Sequence, residues 1–338
     1  MSDARVSSSE ELALLEAARA GDARAFERLV APYRKQLEAH GYRMLGSLAD
    51  ADDVAQETLV RAWKGLGGYE GRASVRTWLH RIATNVALDV SARRKPRALP
   101  NERGAPSDPR AGLAPPDLDP VWLDPAPPDL WEELPESPEA SVSARESVGL
   151  AFLVAIQRLP ATQRAALLLR EVLGMSAAEV ADLLETTVPA VNSALQRARA
   201  ALDEDERVKA PRRDDEGVRA LLARYVSAWE QGTPDALAAV LREDAVLTMP
   251  PIPTWFQGVA AIAGLVAFLK STGELRITPA RAAGGPALAY YVREHGEEGL
   301  RLATVSVVSF DDAGLVREVH SFMNPAQAAR FGLAATLA

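Results

Sequence analysis

Between Glu10 and Arg94 apolar residues recur at the three- and four-residue spacing of helices. Phe26, Leu29, Val30, Tyr33 and Leu37 put one apolar face on a helix. Asp50 to Trp63 predicts a second helix and Ser74 to Ala92 a third, with Ser74 placed to cap its first turn. The breakers gather at Gly65–Gly71. From Pro96 to Glu139 the periodicity stops. Proline recurs twelve times there, and because it fixes φ and removes a backbone donor, neither a helix nor a central strand can persist. The acids Asp117, Asp119, Asp124, Asp129, Glu132, Glu133, Glu136 and Glu139 make this an acidic, semi-extended linker. Trp122, Leu123, Leu130 and Trp131 are more apolar than a spacer requires, so docking on a folded domain is left open.

Ala140 to Leu202 is helical again. Phe152, Ile156 and Leu159 form a stripe ending at Pro160, Leu167, Leu168, Leu169 and Val172 form another, and Gly174 marks a stop. Residues 203–217, charged and carrying Pro211, read as a second linker. From Val218 the pattern changes. Helices are predicted at Val218–Trp229, Pro234–Leu241 and Val259–Lys270, with a strand-like run at Ala245–Met249. Strands follow at Arg276–Thr278, Ala287–Arg293, Arg301–Phe310 and Leu315–Phe322, the last two joined by a hairpin turn at Asp311–Gly314. Helices followed by consecutive strands imply an α+β domain behind all-α domains.

The 338 residues suffice for two or three domains, and 48% hydrophobic with 25% charged residues suits globular folding. The absence of cysteine excludes disulfides, thiolate metal sites and a cysteine nucleophile, and fits a cytoplasmic setting. No run of about 18 apolar residues predicts a membrane span, and Met1 to Glu11 lacks an apolar signal core. No metal site or cofactor is expected. A net charge of -8 argues against nonspecific binding to nucleic acid. Local basic clusters change that picture: Arg93, Arg94, Lys95 and Arg97 at one point, Arg197 and Arg199 along a helix, and Arg207, Lys209, Arg212 and Arg213 beyond it.

Three segments carry candidate chemistry. In Met175 to Leu202, Ser176 and Glu179 fit a capping box, Val180, Ala181 and Leu184 line one helix face, and Thr187-Val188-Pro189 restarts the chain. Val191, Leu195 and Ala198 line the next helix. A short helix, a tight turn and a longer helix make a helix-turn-helix, which aims Thr187, Pro189, Asn192, Ser193, Gln196, Arg197 and Arg199 at DNA. An ordinary helical hairpin with a solvated face has the same pattern. The second segment, Asp50 to Trp63, holds four acids near a helix start, where the macrodipole favours them; by pattern alone a capped, solvated surface explains them. The third, Gly68 to Asn85, joins a glycine-bearing loop, Tyr69 and several arginines to a helix ending at Arg93-Arg94-Lys95. Aromatics interleaved with arginines suit single-stranded bases and phosphates, while core packing accounts for Trp78.

In this order the three segments resemble extracytoplasmic-function RNA polymerase sigma factors. The resemblance rests on Asp52-Asp53-Val54-Ala55-Gln56-Glu57-Thr58-Leu59, Arg76-Thr77-Trp78-Leu79-His80-Arg81-Ile82-Ala83-Thr84-Asn85 and the run from Leu159 to Glu171. It implies that residues 12–97 are sigma region 2, 98–143 the linker and 144–205 sigma region 4. It further implies that Asp52, Asp53, Gln56 and Glu57 dock on the β′ clamp of the polymerase core, and that region 4 meets the β flap. The loop at Gly68–Ser74 would hold a flipped minus-ten base; Tyr69, Arg72, Arg76, Arg81, Asn85, Arg93 and Arg94 would meet minus-ten DNA. The helix from Thr187 would read the minus-35 element, and the acidic linker would thread the RNA exit channel.

Residues 214–330 resemble the SnoaL-like α+β cone with a curved sheet, through Tyr225-Val226-Ser227-Ala228-Trp229, Glu243-Asp244-Ala245-Val246, Met249-Pro250-Pro251 and Trp255-Phe256-Gln257-Gly258. Trp229, Met249, Trp255, His320 and Phe322 are the expected pocket for a small ligand. The acid–base groups on hand are Asp244, His295 and His320, with no Asp/His pair at a recognisable spacing. The expectation is therefore a regulatory domain that contacts the sigma domains, not a catalyst. Two other readings stay open: a stand-alone helix-turn-helix regulator, and a SnoaL-type enzyme fused to a DNA-binding module.

Overall fold

A computed structural model describes residues 8–117, 119, 122–132, 150–203, 215–282, 285–294 and 299–337. His295, the basic residues 207–213 and linker residues 133–149 therefore lie outside the described residues, as does the side chain of Trp131. The chain divides into two units. The first gathers the described residues up to Pro96 with Ile156–Ala201; the second gathers Arg97–Trp131, residues 150–155 and the described residues from Leu202 onward.

In the first unit, α1 (Ser8–Arg19), α2 (Ala23–Val30), α3 (Arg34–Leu45), α4 (Leu48–Gly65) and α5 (Val75–Arg93) follow one another through short turns. Three of the four turns are set by a side-chain cap. The Asp22 carboxylate accepts from the backbone N–H of Arg24 and Ala25 to start α2. Gly46, at φ +68°, ends α3 in the left-handed region, and Ser47 then caps α4. The Ser74 side chain accepts from the Thr77 N–H at 3.1 Å to start α5. The α3–α4 crossing is close: a Cβ on Gly41 would sit 3.2 Å from both the Ala51 backbone and the Val54 side chain.

Beyond the linker come the short α6 (Asp129–Glu132), α7 (Leu150–Gln157) and α8 (Ala161–Leu167), the last widening into a π turn at Leu168–Val172. Gly174, at φ +70°, makes the stop its sequence predicts. The Ser176 and Glu179 capping box then opens α9 (Ala177–Leu183), and α10 (Val188–Asp203) follows a short turn. Arg164 of α8 ties this set of helices together. It donates to the carbonyls of Ile156 (2.9 Å), Gln157 (3.0 Å) and Leu159 (3.1 Å), to Gln157 Oε1 (2.6 Å) and to the Met44 carbonyl at the end of α3. Gln157 Nε2 adds a bond to the Arg43 carbonyl at 3.0 Å. A buried guanidinium is tolerated because its donors meet carbonyls at helix ends and in the turn that follows.

The second unit contains α11 (Asp215–Gln231), α12 (Pro234–Ala238), β1 (Leu241–Met249), β2 (Ile252–Gln257), α13 (Val259–Thr272), β3 (Gly273–Ala282), β4 (Gly285–Glu294), β5 (Leu300–Phe310), β6 (Val316–Phe322) and β7 (Thr336–Leu337). The sheet runs β2-β1-β6-β5-β4-β3, with β7 against β5, and it is antiparallel except where β1 meets β6. One face carries a core with Tyr225, Trp229, Leu247, Met249, Phe256, Ile262 and Tyr290. The other face carries Ala289, Tyr291, Val305, Val307 and Phe322, and it is packed by Leu99, Leu123, Leu150, Val154 and Phe331.

Residues 97–131, read from sequence as spacer, are thus grouped with the C-terminal domain. Ser107 and Trp255 exchange bonds, Ser107 N–H to the Trp255 carbonyl at 2.8 Å and Trp255 N–H to Ser107 Oγ at 3.3 Å. Trp255 Nε1 donates to the Gly104 carbonyl at 3.1 Å, Ala114 N–H to Thr254 Oγ1 at 2.9 Å, and Asp117 N–H to the Pro251 carbonyl at 2.9 Å. Trp122, Leu123 and Leu130 are buried, and the Arg103 guanidinium lies 5.6 Å from the Trp122 ring centre. Proline bars this chain from a central strand, yet nothing bars it from lying along an edge, where β2 would otherwise offer unpaired backbone groups.

Candidate nucleic-acid and partner interface

Helix α4 sorts its residues by face. Val54, Ala55 and Thr58 are buried, whereas Asp53, Gln56 and Glu57 are exposed and Asp52 is half-buried. Glu57 accepts from Arg61 at 2.7 Å, and Arg61 reaches Asp89 of α5 at 3.3 Å; the Glu57 bond raises the guanidinium's pKa. Asp50, by contrast, is buried and ion-paired with Arg94. The same exposed face continues into Val60, 46% exposed, and Trp63, which meets Phe26 edge-on at 5.0 Å. Val60 stands three residues after the exposed Glu57 and Trp63 three further on, the helical spacing that keeps them on the same face.

The predicted minus-ten residues divide. Arg72, Asn85 and Arg93 are exposed, and Arg72 is ion-paired with Glu70. Tyr69 is buried at 8% exposure; its ring stacks on Trp78 at 4.7 Å and its hydroxyl donates to the Ala73 carbonyl. Arg19 of α1 donates to the Tyr69 carbonyl and places its guanidinium 5.7 Å from the Tyr69 ring centre. Arg76 is half-buried, donates to Gln36 Oε1 at 3.3 Å, and has its pKa lowered by burial. Arg81 pairs with Asp182 of α9 at 2.8 Å, and Arg94 with Asp50.

Behind these arginines α3 and α5 meet through buried polar groups. His40 Nε2 lies 2.9 Å from Thr84 Oγ1, and that hydroxyl donates to the His80 carbonyl at 2.8 Å, so the His40 nitrogen is the donor. His80 Nδ1 lies 2.9 Å from the Arg76 carbonyl and must donate to it. The His80 Nε2 lone pair then faces no partner. Burial pushes both imidazoles down, reinforced at His40 by the charges of His80 and Arg43 and at His80 by those of Arg76 and Arg43; His40 falls well below its usual value and His80 to about 4.

In α10, Val191, Leu195 and Ala198 are buried, while Thr187, Pro189, Asn192, Ser193, Gln196, Arg197 and Arg199 are exposed. Arg199 is ion-paired with Glu171. The Thr187 hydroxyl accepts from the Ala190 N–H at 3.3 Å, which opens the helix.

The five residues expected to line one pocket do not lie together. Trp229 and Met249 belong to the core on one face of the sheet, and Phe322 to the core on the other. His320 pairs across the sheet with Thr248 and Val307, and Trp255 with Thr248, which puts both on the Phe322 side. His320 is buried, 2.9 Å from Thr248 Oγ1 and 3.4 Å from the Glu318 carboxylate. The alternation of side chains along a strand, which sequence spacing over several elements does not reveal, causes the division. Asp244 is exposed and forked by Arg242 at 2.8 Å through both oxygens, which lowers its pKa.

Three family models match the chain: Sigma-70 region 2 over residues 29–97, Sigma-70 region 4 over 149–202, and the SnoaL-like domain over 222–319. The ECF RNA polymerase sigma factor SigG of Mycobacterium tuberculosis is 45% identical over 270 residues, covering 78% of this chain and 72% of SigG. The RNA polymerase sigma-H factor of Pseudomonas aeruginosa is 33% identical over 192 residues, 56% of this chain and 90% of its own length. The crystal structure of the M. tuberculosis extracytoplasmic function sigma factor SigJ shares the fold with a TM-score of 0.56 at 20% identity, covering 89% of this chain and 97% of SigJ. All-α modules for a bipartite promoter, followed by an α+β domain, define a sigma factor with an accessory domain. The chain belongs to the extracytoplasmic-function RNA polymerase sigma factors and carries a fused SnoaL-like domain; it binds RNA polymerase core and directs promoter-specific initiation of transcription. No helix among the described residues is long and apolar enough to cross a membrane.

Proposed function

We propose that the exposed face of α4 is the polymerase-docking surface, with Asp52, Asp53, Gln56 and Glu57 meeting the β′ clamp and Val60 and Trp63 extending the contact. Region 4 meets the β flap, α10 reads the minus-35 element through Asn192, Ser193, Gln196, Arg197 and Arg199, and residues 68–74 with α5 receive the minus-ten strand. The observation that carries this reading is the sorting of residues on α4 and α10: Asp53, Gln56 and Glu57 stand exposed opposite the buried Val54, Ala55 and Thr58, and Asn192, Ser193, Gln196, Arg197 and Arg199 stand exposed opposite the buried Val191, Leu195 and Ala198. In the cytoplasm the polymerase supplies the affinity that a chain of net charge -8 lacks by itself. The test is capture of bacterial polymerase core by the full chain, wild type against Asp53→Arg/Glu57→Arg. Capture by the wild type that charge reversal abolishes supports the docking surface; equal capture by both removes it.

The SnoaL-like domain acts in this reading as a regulator rather than a catalyst. Asp244 is engaged by Arg242, and His320 is buried between Thr248 and Glu318, so the two candidate acid–base groups among the described residues have separate partners. The linker that would thread the RNA exit channel is bonded to Trp255, Thr254 and Pro251, so its release is the step at which the domain exerts control.

A further inference from the structure

Residues 67–74 have few anchors. A Cβ at Gly67, Gly68 or Gly71 would meet nothing within 4 Å, and Glu70 to Ser74 are exposed. Between Leu66 and Val75 the single buried side chain is Tyr69. Three contacts hold it: the stack on Trp78, its hydroxyl on the Ala73 carbonyl, and Arg19 from above. Arg19 comes from α1, outside the residues that the region 2 model matches. It takes hold of both the carbonyl and the ring of Tyr69, a planar fork and a cation in one side chain.

We infer that Arg19 is a positioning residue for promoter selection: by clamping Tyr69 it fixes the shape of the 67–74 loop and so the fit of the extruded minus-ten base. The inference rests on the proposed assignment of that loop to the minus-ten strand. Arg19 touches no base in this account. It acts through Tyr69, whose ring divides the loop into a glycine-rich arm, Gly67-Gly68, and a charged arm, Glu70 to Arg72. Without the clamp, the charged arm samples many shapes, and a base pocket with many shapes discriminates poorly.

The experiment uses holoenzyme assembled from the full chain and bacterial core, with a promoter recovered by selection with the wild type. Fragments carry each of the four bases at the extruded position, and 2-aminopurine beside it reports opening. Arg19→Ala is expected to narrow the preference for the best base by about tenfold, which is about 1.4 kcal/mol. Core affinity and melting temperature should stay close to wild type. Arg19→Lys, which keeps the cation over the ring but not the fork, should recover part of the preference. An unchanged preference in Arg19→Ala overturns the inference, as does a loss shared equally by all four bases. A matching drop in core affinity or melting temperature also overturns it, since it marks a merely structural tie. Glu70→Ala/Arg72→Ala separates the two layers. If it alters base preference while Arg19→Ala does not, the loop reads the base without the clamp. If neither alters it, the loop assignment fails and the inference falls with it.

Discussion

Acidification should loosen the first unit through one imidazole. His80 is buried, donates Nδ1–H to the Arg76 carbonyl and leaves Nε2 without an acceptor, so a second ring proton has nowhere to bond. In the unfolded chain the ring takes up its proton near pH 6.5, in the folded chain only near 4. Between those values the unfolded state holds the extra proton, so stability falls as pH falls. Nothing is lost above about pH 6.5, and the loss is complete below about pH 4. At 1.36 kcal/mol per unit the full effect is about 3 kcal/mol, of which about 2 kcal/mol is lost by pH 5. His40, lowered in the same direction, adds to it. The assay is urea unfolding at pH 8 and pH 5, comparing wild type with His80→Met, which keeps the volume and removes the titrating nitrogen. The variant should be less stable at pH 8, having lost the Nδ1 bond, but should lose about 2 kcal/mol less on acidification. Comparing the two proteins cancels the carboxylates common to both. Equal pH slopes would refute the argument.

Two further substitutions probe the ties described above. Arg164→Met removes the guanidinium bonds to the carbonyls of Ile156, Gln157, Leu159 and Met44, and should lower the stability of the first unit by about 3 kcal/mol in denaturant titration. Gly264→Leu places a side chain where a Cβ alone would lie 3.3 Å from Pro109, on an exposed part of α13. It should lift the Pro109–Ala111 turn off the helix, seen as faster proteolysis of the linker, and change transcription from a cognate promoter; unchanged proteolysis would show the contact to be dispensable.

Local chemistry was legible in advance. Ser74, Gly174, the Ser176 and Glu179 box and the Asp311–Gly314 turn sit where their spacing put them, because caps and turns are decided within four residues. The buried rows of α10 followed from its 3.6-residue period. What escaped was long-range. Ile252–Gln257 forms β2, but Pro253 and the short length gave no alternation to read. The pocket residues separated because strand parity depends on register, including a bulge between Thr248 and Met249. The destination of residues 97–131 could not be read either, since an edge strand more than a hundred residues away leaves no periodic trace in the segment that covers it.

The bonded path of Gly104 to Asp117 along β2 has an evolutionary consequence. Boundaries drawn by family matching run along the chain, yet the accessory domain is completed by residues that precede the helix-turn-helix. Such a protein cannot gain or shed its last domain by a clean recombination near residue 214. A shuffled descendant without residues 215–338 would present Leu99, Leu123, Leu150 and Val154 to water, and one that inherited the domain alone would lack the strap along its sheet edge. The segments must therefore travel, and change, as a set.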